Sequence, residues 1–112
     1  MFYIKKTIEV SGAHRLTLDY PSKCTELHGH NWIITIYCRA KELDHNGMVV
    51  DFSEIKRLIF DKLDHKLIND VIPCNPTSEN IARWCQQQIK CCYRVDVQET
   101  SGNVATYEVD GF

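Results

Sequence analysis

Long apolar segments and a leader-like start are both missing from this sequence. No apolar run approaches the roughly 18 residues that a membrane span requires, and the first residues lack the basic, then apolar, then small-residue layout of a signal peptide. An excess of positive charge is missing too, since 13 Lys and Arg stand against 15 Asp and Glu. Nucleic-acid-binding surfaces are strongly basic. We therefore expect a cytoplasmic protein with neither a membrane nor a nucleic-acid partner.

Cysteines are too few and too irregularly spaced for a disulfide scaffold or a paired-cysteine zinc site. Six in 112 residues lie below the roughly 8–10% typical of disulfide-rich domains, and none form a Cys-x-x-Cys. Most are expected to be small buried hydrophobic residues. Redox chemistry at Cys91 and Cys92 is an alternative that regular structure disfavours, because adjacent side chains point apart.

Alternation of apolar residues and β-branched content predict four strands. With 44% hydrophobic and 25% charged residues, the chain suits one small globular domain over 1–112. The first strand covers residues 2–10 and runs on towards His14, and the second covers 31–40. The last two, 93–99 and 103–109, join across a turn at Gly102.

Two amphipathic helices are predicted between the second and third strands. Asp51, with Glu54 three residues later, has a capping-box pattern, and the helix after it ends near Asp64-His65. The second helix opens at 75–79, where Asn or Thr can cap and Pro is tolerated. The predicted fold class is α+β, with two helices on one face of a four-stranded antiparallel sheet in the order ββααββ.

The other face of that sheet is left without a helical cover. We expect it to be partly apolar, with residues such as Trp32 or Ile34 on it, and the sheet edges to be open. Exposed apolar faces and unpaired edges favour association with further copies. The pattern therefore favours an oligomer.

His28 and His30 lie at the entrance of the second strand. Side chains in a strand repeat every second residue, so both imidazoles project from one face. His14 offers a third, and three histidines with an open position are a common arrangement for catalytic zinc. The alternative is a set of ordinary polar histidines. Cys24, four residues before His28, favours the metal site.

Two further positions carry candidate chemistry. Asp64 can fix the tautomer of His65 and raise its basicity, or His65 can simply lie at a helix end where the dipole favours it. Glu99 continues the alternation of Val95 and Val97, where a carboxylate needs a partner such as a ligand with adjacent N–H groups. Its alternative is an exposed residue at the strand end. His45, beside Asn-Gly, is most simply an exposed turn residue.

Six segments together resemble the 6-pyruvoyl-tetrahydropterin synthase family over essentially the whole chain. No single segment is specific, but the set is. The segments are Gly12-Ala13-His14-Arg15-Leu16, residues 24–31 (CTELHGHN), residues 47–52 (GMVVDF), residues 63–70 (LDHKLIND), residues 75–80 (NPTSEN) and Val97-Gln98-Glu99-Thr100.

The resemblance implies a role for each candidate. It implies that His14, His28 and His30 bind Zn2+ and that Cys24 is the catalytic base. Asp64 and His65 would form a proton relay, and Glu99 would anchor the pterin and is sometimes counted in the relay. The family's tunnelling fold, or T-fold, implies a homohexamer built from two trimers, with active sites between subunits.

The three residues between Cys24 and His28 are similar to the carboxy-forming branch of that family, the 6-carboxy-5,6,7,8-tetrahydropterin synthases of queuosine biosynthesis. This branch implies a lyase that converts 7,8-dihydroneopterin triphosphate to 6-carboxytetrahydropterin, acetaldehyde and triphosphate. The alternatives are the pyruvoyl-forming reaction and a non-catalytic zinc-binding module. Glu26 stays a secondary candidate, since another branch uses a glutamate just before the same motif.

Overall fold

A five-stranded sheet organises the fold in the computed structural model, which describes residues 1–110. The strands are β1 (Phe2–His14), β2 (His28–Ala40), β3 (Lys66–Leu67), β4 (Cys92–Thr100) and β5 (Asn103–Glu108). Their order across the sheet is β3-β1-β2-β4-β5. Neighbouring strands are antiparallel except β1 and β3, which are parallel.

Besides a 3-10 turn at Lys23–Thr25, three helical segments complete the fold of the described residues. They are α1 (residues 52–63), α2 (Ile68–Val71) and α3 (Ser78–Gln87), and α1 contains a π-helical turn, Lys56–Phe60, between two α-helical turns. The α+β class is confirmed, but the predicted four-stranded sheet and ββααββ order are wrong. The short strand β3 and the helix α2 are additional, because two paired residues and a single helical turn leave no periodic signal.

The predicted helix starts are confirmed by their caps. The Asp51 carboxylate accepts a hydrogen bond from Ser53 N at 2.8 Å, and Thr77 Oγ1 accepts one from Asn80 N at 3.2 Å. Helix α1 ends as expected, because Asp64 is extended (ψ 132°) and His65 has a positive φ of 57°. A positive φ outside glycine ends regular helix geometry.

The helices pack on the sheet face that carries the even-numbered residues of β2. Trp32 and Ile34 are 1% exposed on this face. The prediction that they lie on an open face is therefore wrong, because the apolar even positions of β2 (Trp32, Ile34, Ile36 and Cys38) are all buried and the open face carries the odd positions. The core consists of buried residues of both layers, among them Val10, Trp32, Ile34, Ile36, Ile55, Ile59, Leu63, Ile81, Cys85, Val95 and Val97.

Among residues 1–110, no helix has both the length and the apolar character needed to cross a bilayer. The assignment of one domain to 1–112 stays a prediction, and residues 111 and 112 lie outside the described part of the chain.

Candidate metal and active site

The three predicted histidines meet at one end of the sheet. His14 is the last residue of β1 and lies opposite His28, the first residue of β2, while His30 lies opposite Gly12. Their ligand nitrogens all lie within 4.8 Å of one another. Between them is Gly29, where a methyl group would lie 3.2 Å from the carbonyl oxygen of Gly12. The alternation of the strands thus brings the three imidazoles together.

In two of these histidines, a backbone carbonyl holds one ring nitrogen and leaves the other available to a ligand. His14 Nδ1 lies 2.8 Å from the carbonyl oxygen of Pro76, and His28 Nδ1 lies 2.7 Å from that of Glu26. A carbonyl oxygen only accepts, so each Nδ1 carries a proton, and the neutral form of each ring presents its lone pair on Nε2. Histidine ligands of metals are oriented by this kind of bond.

Within the described residues, the buried Nε2 atoms of two of these histidines, His14 and His30, make no protein hydrogen bond. The pKa of His14 is lowered, chiefly because burial disfavours the imidazolium and despite the hydrogen bond to Pro76. Neutral imidazoles with converging lone pairs are the form that binds a metal ion. The three histidines therefore fit a divalent ion such as Zn2+.

Glu99 lies beside this cluster. Its Oε1 atom is 3.6 Å from His14 Nε2 and 3.7 Å from His30 Nε2, and its side chain is 30% exposed. Glu99 is on β4, on the sheet face of the buried Val95 and Val97. The alternation therefore places the carboxylate where the sequence predicts it.

Cys24 lies in a short 3-10 turn, Lys23–Thr25, before β2. Ser22 Oγ accepts a hydrogen bond from Cys24 N at 3.1 Å, and the Cys24 carbonyl accepts one from Leu16 N at 2.8 Å. These bonds hold the exposed thiol on the rim of a cleft of about 280 Å³. We call this the metal cleft; its lining residues are Lys23, Cys24, Glu26, Leu27, His28, His30 and Glu99.

A second, more polar cleft of about 420 Å³ adjoins the first at Glu99. We call it the polar cleft, and its lining residues are Ser78, Glu79, Glu99, Gly102, Asn103, Val104, Ala105 and Thr106. Sequence reasoning did not select Ser78 or Glu79 as site residues. The signal for them was their place in the first turn of α3, directly after the capping residue Thr77.

Asp64 and His65 lie outside the metal cleft. Asp64 Oδ1 accepts a hydrogen bond from Ser11 N at 3.0 Å, and Ser11 O accepts one from His65 N at 2.6 Å. The two side chains are paired, with Asp64 Oδ2 2.7 Å from His65 Nδ1, and the His65 side chain is 81% exposed. The pKa of Asp64 is lowered, first by the Ser11 N–H and then by His65. Among the described residues, neither lines the cleft that holds Cys24.

Comparison with known proteins gives a consistent family. A model of the family described as 6-pyruvoyl tetrahydropterin synthase matches residues 3–110. The 6-carboxy-5,6,7,8-tetrahydropterin synthase of Bacillus subtilis is 28% identical over 123 residues, which cover 95% of this chain and 84% of that protein. The protein of the same name from Rickettsia conorii is 32% identical over 112 residues, 80% of each chain.

A solved structure supports the same relationship. The 6-pyruvoyl tetrahydropterin synthase of Caenorhabditis elegans superposes with a TM-score of 0.76 at 26% identity, covering 97% of this chain and 96% of that one. The family match spans nearly the whole chain, including the strands that carry the histidines and Glu99. The chain belongs to the 6-pyruvoyl tetrahydropterin synthase family.

Proposed function

We propose that the protein is a zinc-dependent 6-carboxy-5,6,7,8-tetrahydropterin synthase of queuosine biosynthesis. It would convert 7,8-dihydroneopterin triphosphate and water to 6-carboxytetrahydropterin, acetaldehyde and triphosphate. The observation that carries the proposal is the cluster of three imidazoles, two of which have buried Nε2 atoms without a hydrogen bond to any described residue, beside a cleft that holds an exposed thiol. The names of the Bacillus and Rickettsia relatives support the carboxy-forming reaction.

His14, His28 and His30 would hold the zinc ion. When bound, zinc supplies a Lewis acid that lowers the pKa of the substrate's side-chain hydroxyls. The carbonyls of Pro76 and Glu26 keep the ring orientation of two ligands fixed before the metal arrives. Because the ligands are pre-oriented, little reorganisation accompanies metal binding.

Cys24 would act as the base for the side-chain carbons of the substrate. Its thiol is exposed on the rim of the metal cleft, so it can reach a ligand bound there without first opening the core. Thiolates are effective proton acceptors when positive charge lies nearby, and Lys23 lines the same cleft. Glu26 lines it too and stays the secondary candidate.

Glu99 would anchor the pterin ring. It is shared by the two clefts, so a ring in the polar cleft can meet its carboxylate while the side chain of the substrate extends into the metal cleft. A carboxylate accepts two hydrogen bonds in parallel from adjacent N–H groups, as a pterin's amino group and ring N–H provide. This arrangement supports the assignment of the ring and the side chain to separate clefts.

Asp64 and His65 would complete the site from a neighbouring copy in a homohexamer. Ser11 ties the pair to β1, beside the edge strand β3, and the His65 ring is exposed. The sheet ends at β3 on one side and β5 on the other, and both are edges to which another chain can add a strand. In this arrangement His65 transfers a second proton, with Asp64 holding its tautomer.

The pyruvoyl-forming reaction is the second candidate, and the likeness to the Caenorhabditis elegans structure supports it. A non-catalytic zinc-binding module is the third. It predicts a closed site, in which Cys24 could be the fourth ligand, and no affinity for pterins. The products separate the first two candidates, because only the carboxy-forming reaction releases acetaldehyde.

The decisive experiment incubates the zinc-loaded protein with 7,8-dihydroneopterin triphosphate and identifies the products by mass. We expect 6-carboxytetrahydropterin, acetaldehyde and triphosphate. Cys24→Ala should abolish turnover and keep zinc bound, while Cys74→Ala, at an exposed cysteine outside both clefts, is the matched control. A pyruvoyl product, or a Cys24→Ala protein with the wild-type rate, would contradict the assignment.

A further inference from the structure

Trp32 forms the buried floor of the histidine cluster. It is on β2, two residues after His30 and on the same face, and it is 1% exposed. Its ring centroid is 4.9 Å from that of His14, at an interplanar angle of 88°, and 5.1 Å from that of His30, at 64°. Edge-to-face contacts of this kind favour specific ring orientations. One side chain thus contacts two of the three proposed ligands.

His30 lacks the support that the other two ligands have. His14 and His28 are each oriented by a backbone carbonyl, but among residues 1–110 no hydrogen bond to the Nδ1 atom of His30 is found. Besides the Glu99 carboxylate, 3.7 Å from His30 Nε2, the neighbours of the His30 ring are three aromatic rings: His14 at 5.2 Å, His28 at 4.9 Å and Trp32 at 5.1 Å between centroids. Of these three, only Trp32 is not itself a proposed ligand.

The packing around Trp32 leaves it little freedom. A methyl group at position 12 would lie 3.3 Å from Trp32 Cζ3, so the glycine there makes room for the indole. Trp32 Nε1 is buried and has no hydrogen-bond partner among the described residues. A buried indole N–H usually finds a partner, and leaving it unpaired is unfavourable. A tryptophan at this position is therefore explained by the packing of its ring and not by a hydrogen bond from its N–H group.

From these contacts we infer that Trp32 is a positioning residue that orients His30 for metal binding by ring packing. The inference rests on the proposed metal site and adds to it the group that replaces a hydrogen bond at the third ligand. It makes a ring at position 32 necessary, whereas a core role alone requires only apolar volume. Phenylalanine keeps a ring, and methionine keeps apolar volume without one.

The test measures the zinc affinity of the purified 112-residue chain by competition with a chromophoric chelator, together with the visible spectrum of its Co2+ form. Removing a group that orients a metal ligand typically weakens metal binding about 10- to 100-fold. We expect a loss of zinc affinity of this size, and an altered cobalt spectrum, in Trp32→Met. Trp32→Phe should stay within about threefold of wild type, because its ring preserves that support. Ile36→Ala is the control, since it opens the same buried face of β2 away from the histidines; it should lower thermal stability and leave metal affinity unchanged.

The outcomes separate this inference from the proposed function. If the wild-type protein takes up neither Zn2+ nor Co2+, the metal site itself is wrong. If it binds metal and Trp32→Met binds equally well with the same cobalt spectrum, only the role of Trp32 is wrong.

A measurement on the wild-type protein keeps the test independent of whether a variant folds. In the metal-free protein, nuclear Overhauser contacts between the Trp32 indole and the His30 ring should be present with the ring in one orientation. A His30 ring that samples several orientations until metal is added would overturn the inference.

Discussion

Replacing Glu99 with glutamine separates substrate anchoring from metal binding. The Glu99 carboxylate lies 3.6 Å and 3.7 Å from the Nε2 atoms of His14 and His30, so it is close enough to take part in either. Glutamine keeps the shape of the side chain, removes its charge and turns one acceptor oxygen into a donor group. A pterin whose N–H groups face that position then meets a second donor.

The expected size of the effect follows from the surroundings of Glu99. Its side chain is 30% exposed, so the hydrogen bonds it makes to a ligand are largely shielded from water. A hydrogen bond to a charged group contributes about 1.5–3 kcal/mol. This corresponds to a loss of roughly 10- to 150-fold in substrate affinity. Zinc affinity should change by less than about threefold, because the three histidines remain.

The assay measures KM and kcat for 7,8-dihydroneopterin triphosphate and, separately, zinc affinity. Glu42→Gln, at an exposed position outside both clefts, is the control and should match wild type in each. If Glu99→Gln keeps its KM and instead loses zinc affinity by more than about tenfold, Glu99 acts as a fourth metal ligand and the anchoring role is refuted.

Three further predictions concern stability. Removing zinc with a chelator should lower Tm by about 10 °C or more, since a ligand at 100 times its Kd stabilises by about 2.7 kcal/mol and each kcal/mol shifts a domain of this size by roughly 4 °C or more; an unchanged melting curve would contradict the metal site. Gly12→Ala should cost about 1–3 kcal/mol in urea unfolding, because its methyl would lie 3.0 Å from a backbone carbonyl of β3; a stability equal to wild type would show that β3 can shift freely. Burial raises the pKa of Asp96, yet that pKa lies below its usual value because three side chains donate hydrogen bonds to the carboxylate: Thr106, Tyr37 and Arg94. A carboxylate with a lowered pKa in the folded state stabilises the fold at pH values above its unfolded pKa of about 3.9, and this stabilisation is lost as the pH falls through the folded pKa. Asp96→Asn should therefore be less stable than wild type at neutral pH, and the difference should shrink in acid. A difference that stays constant with pH would contradict this.

The site residues could be predicted from the sequence where the alternation of side chains along a strand determines their position. His28, His30 and Glu99 needed only the two-residue period of a strand and the face it defines. His14 needed one more assumption, that β1 runs on to residue 14 beside β2. The register of these two strands then places it opposite His28.

Other features depended on contacts that are distant in sequence. Asp64 and His65 are held at the edge of β1 by hydrogen bonds to Ser11, which is 53 residues away from Asp64. Local sequence pattern contains no information on that pairing, nor on the strand β3 next to it. The error at Trp32 was of a different kind. It arose from placing that residue on the open face although positions 32, 34, 36 and 38 are all apolar and the odd positions include Asn31, Thr35 and Arg39. That alternation was sufficient to place Trp32 on the buried face.

The measurement that tests the central claim most directly is anomalous diffraction at the zinc absorption edge from crystals grown with zinc. We expect one ion per chain at coordination distance, about 2.0–2.1 Å, from the Nε2 atoms of His14, His28 and His30, with its remaining side open to the cleft that holds Cys24. An ion bound elsewhere, or one closed off by the Cys24 sulfur as a fourth ligand, would contradict the account.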